Sequence, residues 1–188
     1  IGANANVLSI VNPDDPSQSV TTNLPVAPFG IAATNTGKAF ISHDDLLNVS
    51  AIGLLEFDLT NSTSVFRDGP LQRSELVATP DGSRVAAVLV DPDIANITVG
   101  IWNNASNTFV SQNFPGIFFS DAAISPDGSR IAAVVDDVGS TALILDQQLH
   151  WLSQTVYPHL GQPDSSGTQG ALFTASGNTL VLPTETAI

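Results

Sequence analysis

Short apolar runs, the longest of about six residues, alternate along the chain with turns rich in Pro, Asp, Asn, Gly and Ser. No stretch sustains helical spacing. One pattern leads through a tight turn into an all-apolar run: Glu75-Leu-Val-Ala-Thr-Pro-Asp-Gly-Ser-Arg-Val-Ala-Ala-Val88 and Asp121-Ala-Ala-Ile-Ser-Pro-Asp-Gly-Ser-Arg-Ile-Ala-Ala-Val134. Looser copies run from Gly30 to Ser42 and from Gly170 to Leu182. Their turn glycines, Gly37, Gly82, Gly128 and Gly177, lie 45, 46 and 49 residues apart. A second pattern ends in Asn12, Asp58, Asn103 and Asp146, spaced 46, 45 and 43 residues apart. Two independent markers with one period define a repeat.

Each repeat predicts four strands, A to D. Strand A ends in Thr or Ser, and a tight turn leads into strand B. Strand B, as in Val85 to Val90, is apolar at both alternating positions and needs cover on both faces. Strand C ends in Asp or Asn at a second turn. Strand D, as in Ser64 to Arg67 or His150 to Tyr157, mixes polar and aromatic positions and suits an outer edge. The expected fold is all-β: a β-propeller of four-stranded antiparallel blades, about four of them present, with burial falling from A to D. The chain forms one propeller region, 1–188, with approximate units 1–26 (strands C–D), 27–72, 73–117, 118–166 and 167–188 (strands A–B). Two arrangements fit the count. The first C–D pair completes the last A–B pair in a closed four-bladed ring, or the units are part of a larger ring. In the partial ring each terminal sheet edge needs a partner.

Ser125-Pro-Asp-Gly-Ser-Arg-Ile-Ala-Ala-Val-Val-Asp136 resembles the repeat of TolB-type propellers. Ala27-Pro-Phe-Gly-Ile-Ala-Ala-Thr-Asn-Thr-Gly-Lys-Ala-Phe-Ile-Ser42 resembles the YVTN repeat of bacterial and archaeal surface-protein and lactonase-like propellers, a WD-repeat-like class. The resemblance spans essentially the whole chain. It implies architecture and leaves function open, since such repeats serve scaffolds, binders and enzymes alike.

Composition narrows the partners. Five Lys and Arg face 18 Asp and Glu, a net charge of −13, which repels nucleic acid and anionic membrane. No apolar run approaches the roughly 20 residues of a membrane helix. Without cysteine there is no disulfide, zinc thiolate or thiol nucleophile. The chain opens at Ile1 without a basic-then-apolar leader and stops without a turn signal, so an excerpt of a longer protein is expected.

Propeller connectivity puts A–B and C–D turns on one face, and B–C and D–A loops around the channel mouth on the other. Lys38, Arg84 and Arg130 follow the A–B glycines and share the turn face. Acids recur after strand B: Asp44 and Asp45, Asp91 and Asp93, Asp136 and Asp137, and Glu185. With Asp68 and Asp164 in D–A loops and Glu75 and Asp121 opening strands A, 11 of 18 carboxylates collect at the mouth. Such a face suits a protein, a glycan or a cation; Ca2+ is the hard ion these oxygens would take, although no Asp-x-Asp-x-Asp-Gly loop is present. Asx-turn chemistry and solubility are the plainer account of acids at strand ends, and Asp81 and Asp127 are assigned to their turns.

Glu75, Asp121 and His43 are the catalytic candidates, two carboxylates at the mouth with one imidazole beside Asp44 and Asp45. An acidic, hydrated channel lining is the plainer account. His150 lies on an outer strand and His159 in a Pro-rich loop. Phe114, Phe118 and Phe119 fall in a D–A loop, as a ligand platform or as packing between blades. No nucleophile elbow or phosphate loop occurs. Sequons stand at Asn48 and Asn96 in B–C loops, and at Asn61 and Asn104 in C–D turns. The expected function is a non-enzymatic scaffold or binding module, outside the cell, on its surface or in the periplasm, with an acidic mouth and no cofactor beyond Ca2+. The alternatives are a lactonase- or lyase-like enzyme, and an assembly subunit joined through terminal sheet edges.

Overall fold

The structure, a computed structural model, describes residues 6–43, 53–69, 73–89, 96–115, 118–137, 139–157 and 170–182. Among these residues sixteen strands form five antiparallel sheets, each ordered as in the sequence. A two-stranded sheet of β1 (Val7–Ile10) and β2 (Val20–Asn23) comes first. Three four-stranded sheets follow. The first holds β3 (Pro28–Ala33), β4 (Lys38–His43), β5 (Leu54–Asp58) and β6 (Thr63–Arg67). The second holds β7 (Ser74–Ala78), β8 (Arg84–Leu89), β9 (Asn96–Asn103) and β10 (Thr108–Pro115). The third holds β11 (Phe118–Ile124), β12 (Arg130–Asp137), β13 (Gly139–Asp146) and β14 (Trp151–Tyr157). A last pair joins β15 (Leu172–Phe173) to β16 (Leu180–Val181). No helix among the described residues is long and apolar enough to cross a membrane.

Strands β3, β7, β11 and β15 lie side by side in that order, so the sheets stand face against face like propeller blades. The core sits between the sheets. Period-two alternation sends Val85 and Ala87 of β8, with Trp102 of β9, towards Phe40 and Leu54 of blade one. Ala86 and Val88 turn the other way, against Ile131, Ala133 and Val135 of blade three. Phe40 and Trp102 pack at 5.2 Å and an interplanar angle of 51°. Leu8 and Ile10 of β1 cover Ile41, Leu55 and Phe57 on blade one's far side. This two-sided duty is why the central residues of strand B, Val85 to Leu89 in β8 and Ile131 to Val135 in β12, are apolar in succession.

Three details differ from expectation. Burial peaks at strands B and C and falls on both sides, instead of declining from A to D. Phe29 and Ile31 of the innermost strand β3 are 44% and 53% exposed, since strand A forms the edge of its sheet. Asn96 begins β9, paired with Pro115, and is not in a loop. Phe114 lies in β10, and Phe118 and Phe119 in β11, so the aromatic trio belongs to strands as well. Phe114 is buried in the core between blades two and three and meets Trp151 edge-on at 6.4 Å. The β1–β2 and β15–β16 pairs are separate sheets among the described residues; β1–β2 packs on blade one and does not extend β16.

Candidate functional sites on two rims

The turn rim is built by one repeated device. In the Pro-Asp-Gly turns a hydroxyl and a carboxylate cap each other: Thr79 Oγ1 donates to Asp81 Oδ1 at 2.7 Å, and Ser125 Oγ to Asp127 Oδ1 at 2.6 Å. The backbone N–H of Ser83 and of Ser129 donates to the same carboxylates. Gly82 and Gly128 take the positive φ (69° and 68°) that closes the turn. The hydroxyl of Ser125, then the N–H and hydroxyl of Ser129, hold the Asp127 carboxyl down to about 2, and equivalent bonds lower Asp81. The second turn of each blade uses the closing acid or amide of strand C in the same way. Asp58 accepts from the Thr60 and Asn61 N–H groups, and Asp146 from those of Gln148 and His150.

The cations on this rim each make bonds within the protein. Lys38, Arg84 and Arg130 hold equivalent places, opposite Asp58, Asn103 and Asp146. Lys38 Nζ bonds Glu56 Oε1 in its own blade, and Arg67 Nε donates to Glu56 Oε2 at 2.6 Å. The Glu56 side chain is 6% exposed. Burial pushes its carboxyl up, but hydrogen bonds from Arg67 and Lys38, with their charges, outweigh this and hold it below its ordinary value. Arg84 and Arg130 instead cross to the next blade. Arg84 donates through Nη1 to the Asp127 carbonyl at 3.3 Å and through Nη2 to Gln147 Oε1 at 2.5 Å. Arg130 Nη1 reaches the Gly177 carbonyl at 3.5 Å.

One residue explains the difference. Glu56 pairs with Phe40, two places after Lys38; the same register position is Ile101 in blade two and Ile144 in blade three. With no carboxylate over strand C, the arginine goes to its neighbour. Where Glu56 stands in blade one, blade two leaves a cavity of about 330 Å³ beside Ile101. Ile101 and Val110 form its apolar wall, and Arg84, Asn103 and Thr108 its polar side. Gln147 and Gln148, from the C–D turn of blade three, close it.

The mouth rim carries ties between inner strands. Ser42 Oγ accepts from the Gly30 N–H at 2.9 Å and donates to the Ser74 carbonyl at 2.5 Å, stitching β3 and β4 to β7. A Cβ on Gly30 would stand 2.3 Å from that carbonyl oxygen, so only glycine fits here. Asp121 does the corresponding work two blades on. Its Oδ2 accepts from the Gly170 and Ala171 N–H groups at 2.6 and 2.5 Å, and Oδ1 from the Ala122 N–H at 2.8 Å. Its carboxylate is thus committed to backbone donors. The Glu75 side chain is exposed and makes no hydrogen bond to the described residues. Strands β7 and β11 are neighbours, so the topology brings the two acids to one rim. Asp68 Oδ2 accepts from the Phe109 N–H of blade two at 3.4 Å.

His43 ends β4, as expected, but is fully buried and lies edge-on to Phe66 at 6.4 Å. His150 is exposed, its Nδ1 3.0 Å from Asp146 Oδ2. Asn61 and Asn104 are exposed in C–D turns, and Asn96 is exposed at the start of β9. Asp136 and Asp137 are the last residues of β12, paired with Ser140 and Gly139. Asn48, Asp44, Asp45, Asp91, Asp93, His159, Asp164 and Glu185 lie outside the described residues. Among the described residues no group of three or more His, Asp or Glu could hold a metal ion. Glu56, Ser42 and the amides of Gln147 and Gln148 were not singled out from the sequence. Glu56 did leave a signal, as the one charged residue inside the apolar run Leu54-Leu-Glu-Phe57.

No family model and no curated protein matches the sequence. Solved structures do, 521 chains in all, so the fold is widely used and names no function by itself. One is Kuenenia stuttgartiensis hydrazine synthase, with a TM-score of 0.61 at 14% identity over 93% of this chain. The chain spans 48% of that structure's length. At such identity the likeness concerns the fold alone.

Proposed function

We propose that the chain is a non-enzymatic β-propeller scaffold or binding module of an extracellular, cell-surface or periplasmic protein, and that its acidic mouth rim contacts a basic protein, a glycan or a cation such as Ca2+. The observation that carries this reading is topological. Strands β4, β8 and β12 end on one rim, and the segments that follow them hold Asp44 and Asp45, Asp91 and Asp93, with Asp136 and Asp137 closing β12 itself. Lys38, Arg84 and Arg130, three of the five cations, follow the opposite turns, while Arg73, just before β7, stands on the mouth rim. A rim where acids outnumber cations favours encounter with a positive partner, and the effect weakens with salt. An enzyme reading is less well supported, since Asp121 is occupied by three backbone N–H groups and His43 is buried.

The test is a titration of the chain with a Lys-rich peptide and with Ca2+ at low and high salt. The same titrations are run on a variant carrying Asp44→Asn, Asp45→Asn, Asp91→Asn and Asp93→Asn. Salt-sensitive binding of either probe that disappears in the variant supports the reading; equal binding by both proteins overturns it. The separate β1–β2 and β15–β16 pairs favour a second element of the proposal. Three complete blades belong to a larger ring, and the two-stranded sheets take further strands from this protein or another copy.

A further inference from the structure

We infer that the cavity between blades two and three is a binding site for a small hydroxylated carboxylate of about monosaccharide size, a sugar acid. It lies on the turn rim and is independent of the acidic mouth. Blade one supplies the first argument. There the cation after the A–B glycine, Lys38, meets the carboxylate of Glu56, which lies over strand C. Blade two keeps the cation as Arg84, replaces the acid with Ile101, and leaves about 330 Å³ of space. The missing group is therefore a carboxylate, and the space is at the lower end of the range for small-molecule sites.

The rest of the site agrees. A guanidinium has five N–H donors, and Arg84 commits one to the Asp127 carbonyl and one to Gln147 Oε1, so donors remain for an anion. Those two bonds also fix the fork before a ligand arrives. Gly128 allows the crossing, because a Cβ there would stand 2.8 Å from Arg84 Cδ. The amides of Asn103, Gln147 and Gln148 and the hydroxyl of Thr108 offer both donors and acceptors, as a polyhydroxylated body requires. Ile101 and Val110 cover a C–H face. The acids of the adjoining turns face away from this duty: Asp127 is held by Ser125 and Ser129, and Asp146 by Gln148 and His150.

The experiment titrates the full chain with glucuronate and, separately, with glucose, following amide and side-chain NMR shifts. Glucuronate is expected to shift Gln147, Gln148 and Asn103 saturably, and to bind at least about tenfold more tightly than glucose. Ile101→Glu supplies Arg84 with an internal carboxylate, as blade one does for Lys38, and should weaken glucuronate binding by at least about tenfold in a folded protein. Arg84→Gln should do the same by removing the cation. Glucuronate that leaves the cavity resonances unmoved, matches glucose, or binds Ile101→Glu as well as the parent chain overturns the inference. None of these outcomes depends on the acids of the mouth.

Discussion

The boundary between blades one and two and that between blades two and three are built from the same repeat but are finished differently. At the first, Lys38, Glu56 and Arg67 fill the turn side with charges that satisfy one another, and Gly30 lets β3 press against β7. At the second, Arg84 leaves its blade, a cavity opens behind it, and Glu75 stands at the place of Gly30. A single strand-C position, Glu56 or Ile101, decides whether the boundary is closed by the protein or left for a ligand. The lesson is that a repeat holds its backbone constant and assigns side-chain duties locally.

The largest effect should come from Gly30→Ala. A methyl group driven against the Ser74 carbonyl must part the inner strands, costing about 3 kcal/mol in urea unfolding. The reciprocal Glu75→Gly in blade two should cost under about 1 kcal/mol, since it removes an exposed side chain from a strand. A Gly30→Ala protein of parental stability would show that the first boundary is not tight.

Glu56→Ile, which copies blade two into blade one, comes next. Lys38 and Arg67 remain about one-third exposed and can turn to water, so the loss is below the value for a fully buried pair, about 2 kcal/mol. The pH dependence sharpens this. Glu56 titrates below its unfolded value, so its contribution is complete above that value, near pH 4.3, and is lost as the pH falls through the folded one. The Glu56→Ile chain should therefore lose less stability than the parent between about pH 5 and pH 3. Parallel acid profiles of the two proteins would refute the ion cluster.

Asp121→Ala should cost about 1–2 kcal/mol, and hydrogen exchange should accelerate at Gly170 and Ala171 before it does in blades one and two. The smallest effect belongs to Asp127. Its carboxyl is held at about 2, so its share of stability is present above pH 4 and fades between about pH 4 and pH 2. Because the group is exposed, Asp127→Asn should move the acid midpoint only slightly, and less than Glu56→Ile does.

The blades were legible because their determinants are local. Pro80-Asp-Gly82 and Pro126-Asp-Gly128 carry their turn in three residues, and the apolar runs from Val85 and Ile131 announce strands covered on both faces. Closing residues such as Asp58 and Asp146 make bonds two to four places along the chain, within reach of pattern reading. What escaped depends on distant partners. Asp121 binds N–H groups 49 and 50 residues later, so its backbone duty has no local mark. The paths of Lys38 and Arg84 diverge because of a residue one strand over. The exposure of Phe29 and Ile31 follows from the place of β3 at the edge of its sheet, which depends on how the strands are ordered.

Because the apolar clusters span neighbouring sheets, a single sheet taken alone would lose the cover of its apolar faces. Folding free energy then resides in nearest-neighbour coupling, as in solenoid arrays. Damage at one junction weakens the two sheets that share it and spares those beyond. Among the described sheets β7–β10, clasped on both sides, would be among the last to let go.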